Sequence, residues 1–260
     1  MLGAIAGDVI GSVYERHRIK TTEFPFFPKG ACFTDDTVMT LAVAQAILQG
    51  TDYAVSMKAF GRKYPNAGYG RAFVYWLRED ETRPYNSWGN GAAMRASPVG
   101  FAFDNVEDIL REARRSAEVS HDHPEGIKGA QATALAVWLA RTGASKKDIR
   151  GEIARRFGYD LDRTIDAIRP VYRFDSSCQG SVPEALIAFL ESTDYESAVR
   201  KAISLGGDSD TLACIAGGVA HAFYKHIPAE IVAGTRHRLP EEFRVILDRF
   251  DLKFPLSSGA

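Results

Sequence analysis

The sequence predicts an all-α fold, and three observations carry that expectation. Apolar residues recur at helical spacing along nearly the whole chain, cap and stop residues punctuate those runs, and sustained alternation of the strand kind is scarce. With 260 residues, 45% of them hydrophobic, the chain is long and apolar enough to bury a substantial core. No Gly/Ser linker, shift in composition or tandem repeat divides it, so one domain over residues 1–260 is expected.

The elements follow in order. Residues 2–15 read as a helix that carries Gly3, Gly7 and Gly11 at every fourth position and ends at Tyr14-Glu15. Each glycine costs a helix about 1 kcal/mol relative to alanine. A stripe of them predicts close approach by another helix, with room for a ligand as the alternative. Residues 24–33 hold too much Pro and Gly for a central strand. A second helix is expected where Val38, Leu41, Ala42, Gln45 and Leu48 share a face. Residues 106–120 place Val106, Ile109, Leu110, Ala113 and Ala117 on one face, and residues 127–139 form an Ala-rich run with Leu135, Trp138 and Leu139. Ser145-Lys146-Lys147-Asp148 resembles a capping box, and Gly158 is a matching stop. Asp194 caps a run that Gly206-Gly207 ends, and a further helix carries Leu212, Ile215, Ala216, Val219 and Ala220. Pro228 and Pro240 are expected at first helical positions.

Composition narrows the function. The net charge is −1 with a sequence pI near 6.6, and the two signs are interspersed, so no extended nucleic-acid surface is expected. Cys32, Cys178 and Cys214 form no CxxC pair, which argues against a disulfide framework or a structural zinc site. Residues 1–10 are apolar, but they lack a basic region and Asp8 interrupts them; neither a signal peptide nor a membrane span is expected, and a cytoplasmic location is the default.

Two short acidic clusters carry the chemistry. Thr34-Asp35-Asp36-Thr37 and Gly207-Asp208-Ser209-Asp210-Thr211 each open an apolar helical run, where backbone N–H groups lack intrahelical partners. Thr and Asp are ordinary caps, but one capping side chain satisfies one or two N–H groups and a second adjacent carboxylate adds little. If the fold joins the two helix starts, four carboxylates share one small volume, and like charges force protonation unless cations intervene. Asp carboxylates with Thr hydroxyls form a hard oxygen set suited to Mg²⁺ or Mn²⁺.

Two other segments stand out. Residues 87–95, Ser-Trp-Gly-Asn-Gly-Ala-Ala-Met-Arg, form a Gly-rich loop entering a helix; this suits phosphate but matches neither a P-loop nor a dinucleotide fingerprint. Residues 120–126 form a His-rich loop in which His121 and His123 are better suited to hydrogen bonding or capping than to zinc. No Gly-x-Ser-x-Gly elbow supports a serine nucleophile.

Taken in order, Gly7–Glu15, Phe33–Thr37, Gly89–Arg95, Ser120-His121 with Gly126–Ala130, and Gly206–Thr211 resemble the ADP-ribosylglycohydrolase family, which includes the dinitrogenase-reductase-activating glycohydrolases. Each motif is weak by itself; five in sequence order over nearly the whole chain are specific. The resemblance implies an all-α orthogonal multi-helix bundle and a centre of two divalent cations, Mg²⁺ or Mn²⁺. Thr34, Asp35 and Asp36 would hold one ion, Asp208 and Thr211 the other, and Asp210 would bridge them. Glu15 matches an acidic residue that some members contribute to the centre. Ser87, Asn90, Gly91 and Met94, with His121 and Gly126, would line an ADP-ribose cleft, and Ser209 would lie near the ribose. The implied reaction is cleavage at C1″ of ADP-ribose adducts, with Glu15 and Asp36 as candidates for proton transfer and the choice of acid and base open. ADP-ribosylated protein is the expected partner, arginine the favoured acceptor, and serine, nucleic-acid or O-acyl adducts the alternatives. A non-catalytic ADP-ribose binder, a structural family member and a two-metal phosphoesterase are the competing classes.

Overall fold

The computed structural model describes residues 1–81 and 83–256. Among them, the chain runs through α1 (Leu2–Arg16), α2 (Asp35–Gln49), α3 (Tyr53–Lys63), α4 (Arg71–Arg78) and α5 (Gly91–Met94). It continues through α6 (Ser97–Ala102), α7 (Val106–Glu118), α8 (Pro124–Arg141), α9 (Lys146–Phe157) and α10 (Ile165–Ile168). The last five are α11 (Cys178–Leu190), α12 (Tyr195–Ile203), α13 (Ser209–Tyr224), α14 (Ala229–His237) and α15 (Glu241–Lys253). The all-α expectation holds: among the described residues the only strand-like pairing is an isolated bridge between Gly89 and Ser177. None of the helices is long and apolar enough to cross a membrane.

Helix α13 lies at the centre because its sequence is small and apolar on all sides; every residue from Ser209 to Ala220 is buried. α1 packs along it in antiparallel sense through the glycine stripe. A Cβ at Gly3 would meet the Gly217 carbonyl oxygen at 2.5 Å, one at Gly7 would overlap the Ala213 carbonyl, and one at Gly11 would meet the Ser209 carbonyl oxygen at 2.5 Å. Helix packing, rather than space for a ligand, accounts for the stripe. The register sets the end of α1, with Glu15, beside the start of α13, with Asp208. Helices α8, α11 and α12 surround the rest of α13, and α2 packs against α3 and α15.

Most caps fall where the sequence puts them. Ser145 and Asp148 form the capping box, Asp194 caps α12, and Gly158 ends α9 in the left-handed conformation. Three expectations shift. Pro228 and Pro240 occupy the N-cap position, one residue earlier than expected. α8 begins at Pro124, three residues before the apolar run, because His123 caps it by accepting the Glu125 N–H at Nδ1. The Gly-rich loop enters only the four-residue α5, too short a turn to present an anion-binding helix terminus.

Candidate active site

The starts of α2 and α13 meet beside the C-terminal half of α1. Thr34 is the N-cap of α2 and accepts the Asp36 N–H, so capping does describe this one residue. Asp208 occupies the N-cap of α13 without making a side-chain cap bond. The aspartates therefore do something else. Asp8, Asp36 and Asp210 each offer an oxygen within 4.8 Å of the others, and Glu15, Asp208 and Asp210 form a second such group, with Asp210 common to both. The Thr211 hydroxyl donates to Asp36 Oδ2 at 3.2 Å, which joins the two helix starts directly.

Asp8 is the residue that the sequence reading passed over. It is fully buried, and its carboxylate accepts the Thr34 N–H at 3.0 Å, the Thr34 hydroxyl at 2.7 Å, the Thr37 N–H at 3.0 Å and the Thr37 hydroxyl. Three of these bonds fall on Oδ2 and one on Oδ1, so Asp8 anchors the start of α2 to α1 and keeps a lone pair on Oδ1. The Thr34 hydroxyl has one proton, and Asp8 Oδ1 at 2.7 Å takes it in preference to Asp36 Oδ2 at 3.4 Å. With one lone pair taken by the Asp36 N–H, the other is left for a further partner. An acid interrupting an apolar, glycine-striped helix was the available signal.

Burial and mutual repulsion push these acids toward protonation. Burial is the main cause for Asp36 and Asp210, which are raised well above the ordinary range, with neighbouring carboxylates adding to it. Burial also raises Asp8 and Asp208. Asp35 is pushed up to about 8, first by burial and then by Asp8 and Asp208. Glu15, half-buried, is raised by burial and by Asp208. Asp36 Oδ1 is buried and has no hydrogen-bond partner among the described residues. An orphaned buried carboxylate oxygen is costly, and it sits here in a hard oxygen set. Divalent cations fit that arrangement.

A cleft of ≈ 680 Å³ opens from this floor. Thr34, Asp35, Asp36, Asp208, Asp210, Thr211 and Glu15 line one end. Ser87, Asn90, Gly91, Met94 and His121 line the wall. Arg16, Lys29 and Arg71 contribute exposed cations at the rim.

The comparisons with known proteins agree with this geometry. A family model described as ADP-ribosylglycohydrolase matches residues 1–258. The chain belongs to the ADP-ribosylglycohydrolase family. It is 28% identical to "ADP-ribosylhydrolase ARH3" of Homo sapiens over 86% of this chain and 84% of that protein. It is 27% identical to "ADP-ribosylarginine hydrolase Tri1" of Pseudomonas putida over 86% of this chain and 69% of that one. A solved structure described as an "ADP-ribosylglycohydrolase-related protein complex" superposes with a TM-score of 0.74 and 25% identity over 97% of this chain and 96% of that one. The chain is thus a glycohydrolase-type enzyme with an ADP-ribosylglycohydrolase fold.

Against the residues that family resemblance implies, the structure makes four adjustments. Asp35 lines the cleft but joins neither carboxylate group; its N–H bonds to the Ala67 carbonyl, and its Oδ1 faces Gly68. Ser209 does not line the cleft. It is fully buried, and its hydroxyl donates toward the Tyr14 carbonyl at 3.3 Å and the Gly207 carbonyl at 3.4 Å, on the α1 side of α13. Gly126 lies behind the wall, where a Cβ would meet the Ser87 carbonyl oxygen at 2.7 Å and the His121 carbonyl oxygen at 3.1 Å; it lets two loops touch. Asn90 lines the cleft, but its Nδ2 is committed to Asp208 Oδ2 at 2.8 Å and Ser181 Oγ at 3.0 Å, so its amide positions an aspartate. Glu15 forms no ion pair among the described residues, and Arg18 donates to its backbone carbonyl instead. Its carboxylate stands with Asp208 and Asp210.

Proposed function

We propose that this enzyme hydrolyses the C1″ glycosidic bond of ADP-ribosylated protein, with arginine as the acceptor, and releases ADP-ribose. The observation that carries the reading is the convergence of two carboxylate groups at the floor of a cleft with a cationic rim. Such a cleft suits a ligand with an anionic diphosphate and a polyol end. Its volume lies within the ~300–1,000 Å³ range of small-molecule sites.

Thr34, Asp36, Asp208, Asp210 and Thr211, with Asp35 at the cleft edge, are the residues that would hold two divalent cations, Mg²⁺ or Mn²⁺. Bound there, such ions neutralise the carboxylates and orient ligand hydroxyls. The protein's own residues do the rest. Asp8 fixes Thr34, and Asn90 fixes Asp208. Glu15, half-exposed with a raised pKa, receives the proton of the attacking water at its carboxylate. Negative charge around the anomeric carbon favours an oxocarbenium-like transition state. The acids Glu15 and Asp35 at the cleft, which form no ion pair among the described residues, also favour a guanidinium leaving group, and the name of the Pseudomonas relative, an ADP-ribosylarginine hydrolase, supports that choice.

Mass spectrometry of products from arginine-, serine-, nucleic-acid- and O-acyl-linked ADP-ribose, with Mg²⁺, with Mn²⁺ and after chelation, tests the reading. Free ADP-ribose from the arginine adduct is the expected product. AMP or phosphate release would instead mean a phosphoesterase, and no turnover on any adduct a binding protein. Glu15→Gln should lower single-turnover release by about 100-fold, the scale of one proton-transfer group, while calorimetric ADP-ribose binding persists. Near-wild-type turnover would remove Glu15 from the chemistry.

A further inference from the structure

Among the described residues Arg95 is the largest fully buried side chain, and no carboxylate there pairs with it. A guanidinium buried without a counter-ion is costly. Its Nη2 donates to the Ser116 carbonyl at 2.9 Å, the Ala117 carbonyl at 3.3 Å and the Ser120 hydroxyl oxygen at 2.9 Å. The two carbonyls belong to the last turn of α7, whose dipole gives partial compensation. The third bond has a different consequence. Ser120 Oγ also lies 2.8 Å from His121 Nδ1, and both residues are buried.

Counting protons fixes the direction of that contact. Arginine only donates, and a serine hydroxyl has one proton. Among the described residues, Arg95 and His121 are the only partners that reach Ser120 Oγ. If His121 carried its proton on Nδ1, the hydroxyl would accept twice and its own proton would be buried without an acceptor. With Nδ1 unprotonated, Arg95 donates to Ser120 and Ser120 donates to His121 Nδ1, so the serine hydroxyl and Nδ1 are both satisfied, while Arg95 Nε and Nη1 stay without a partner among the described residues. The ring proton is then on Nε2. That nitrogen faces the two glycines of the Gly-rich loop: a Cβ at Gly91 would lie 3.1 Å from it and one at Gly89 3.4 Å. Tyr85 and Phe73 flank the ring, with centroids at 5.6 and 6.3 Å. His121, Gly91 and Arg95 all line the cleft.

We infer that Arg95 and Ser120 are positioning residues that lock His121 as the neutral Nε2–H tautomer, presenting a fixed hydrogen-bond donor to an oxygen of the ADP-ribose moiety across the gap left by Gly89 and Gly91. The identity of the ligand rests on the proposed function; the tautomer does not. Burial, with the Arg95 charge beside it, holds the imidazole well below its ordinary pKa, consistent with a ring that stays neutral. The relay gives the buried arginine one role: a cation that cannot accept a hydrogen bond forces the serine proton in one direction.

The experiment is a long-range ¹H–¹⁵N correlation spectrum of the ¹⁵N-labelled, ligand-free full-length protein. The His121 signals are assigned by their loss in His121→Gln. A pyridine-type Nδ1 and a pyrrole-type Nε2 are expected. A proton on Nδ1, or an even mixture of tautomers, would overturn the proposal without any variant having to fold. Ser120→Ala should give mixed tautomers and about tenfold weaker ADP-ribose binding, and Ser120→Thr, which keeps the hydroxyl, should restore both. A locked Nε2–H tautomer in folded Ser120→Ala would refute the relay. Saturating ADP-ribose should shift the His121 Nε2–H resonance; saturation without a shift would refute the donor role. If ADP-ribose does not bind the wild-type protein at all, the functional reading fails and the donor role with it, while the spectrum of the free protein still decides the relay.

Discussion

The starts of α2 and α13 have near-identical sequences and different supports. At α2, Thr34 caps the helix, and Asp8 binds both the N–H and the hydroxyl of Thr34 and of Thr37. At α13 there is no side-chain cap, and Asp208 is held by one amide, that of Asn90. The first half of the candidate metal centre is therefore tied to α1 by a buried carboxylate that accepts four bonds. The second half is held by the Asn90 amide on Asp208 and by the Thr211 hydroxyl on Asp36 Oδ2. Two similar motifs thus reach one site through different supports.

Substitutions can break this contrast at either end. The largest effect is expected for Asp8→Ala, which removes the acceptor of two buried Thr37 donors and two part-buried Thr34 donors. At roughly 1–3 kcal/mol for each unmet group, partly relieved by relaxation, the loss of stability should reach about 3 kcal/mol or more in denaturant titrations. A variant as stable as wild type would show that Asp8 does not hold α2.

Asn90→Ala should act on the centre more than on the fold. Losing a residue that orients a ligand typically costs 10–100-fold in metal affinity or activity, so calorimetry should show weakened Mn²⁺ binding with little change in melting temperature. Unchanged affinity would mean that Asp208 needs no such support.

The smallest effect separates protein from ions. Burial, with Asp8 and Asp208 nearby, pushes the Asp35 carboxyl up to about 8, against 3.8 for an ordinary aspartate. Between those values the folded state holds a proton that the unfolded state has released. Metal-free stability must therefore fall as pH rises through that window. Calorimetric melts of chelated protein should drop by a few degrees from about pH 5 to about pH 8. Added Mg²⁺ or Mn²⁺ should restore the loss at the upper end, where ligands are deprotonated. A flat or rising metal-free profile would contradict crowded, uncompensated carboxylates.

Much of this was legible in the sequence. The acidic helix starts, the capping box at Ser145 and the glycine stripe all act locally or along one helix face, and local patterns survive translation into structure. What escaped were cross-chain hydrogen bonds. Asp8 reads as a polar interruption until the fold sets it against residues 34 and 37. Arg95 reads only as the end of the Gly-rich segment until the fold buries it behind α7. Ser209 sits between two aspartates in sequence, yet a helix turns successive side chains by about 100°, so its hydroxyl faces α1 instead of the cleft. Asp208 reaches the same site as Asp210 because it is the N-cap, with φ −77° and ψ 81° outside the helical range.

The glycine contact between α1 and α13 also sets a timetable for synthesis. Gly3 meets Gly217, so the surface that covers α1 emerges more than two hundred residues after α1 itself. At about 5–20 residues per second, roughly 10–40 s pass before the two helices can pair. During that interval the glycine flank of α1 stays uncovered, while Asp8 meets Thr34 and Thr37 once α2 has emerged. The packing of α1 is thus finished long after its synthesis.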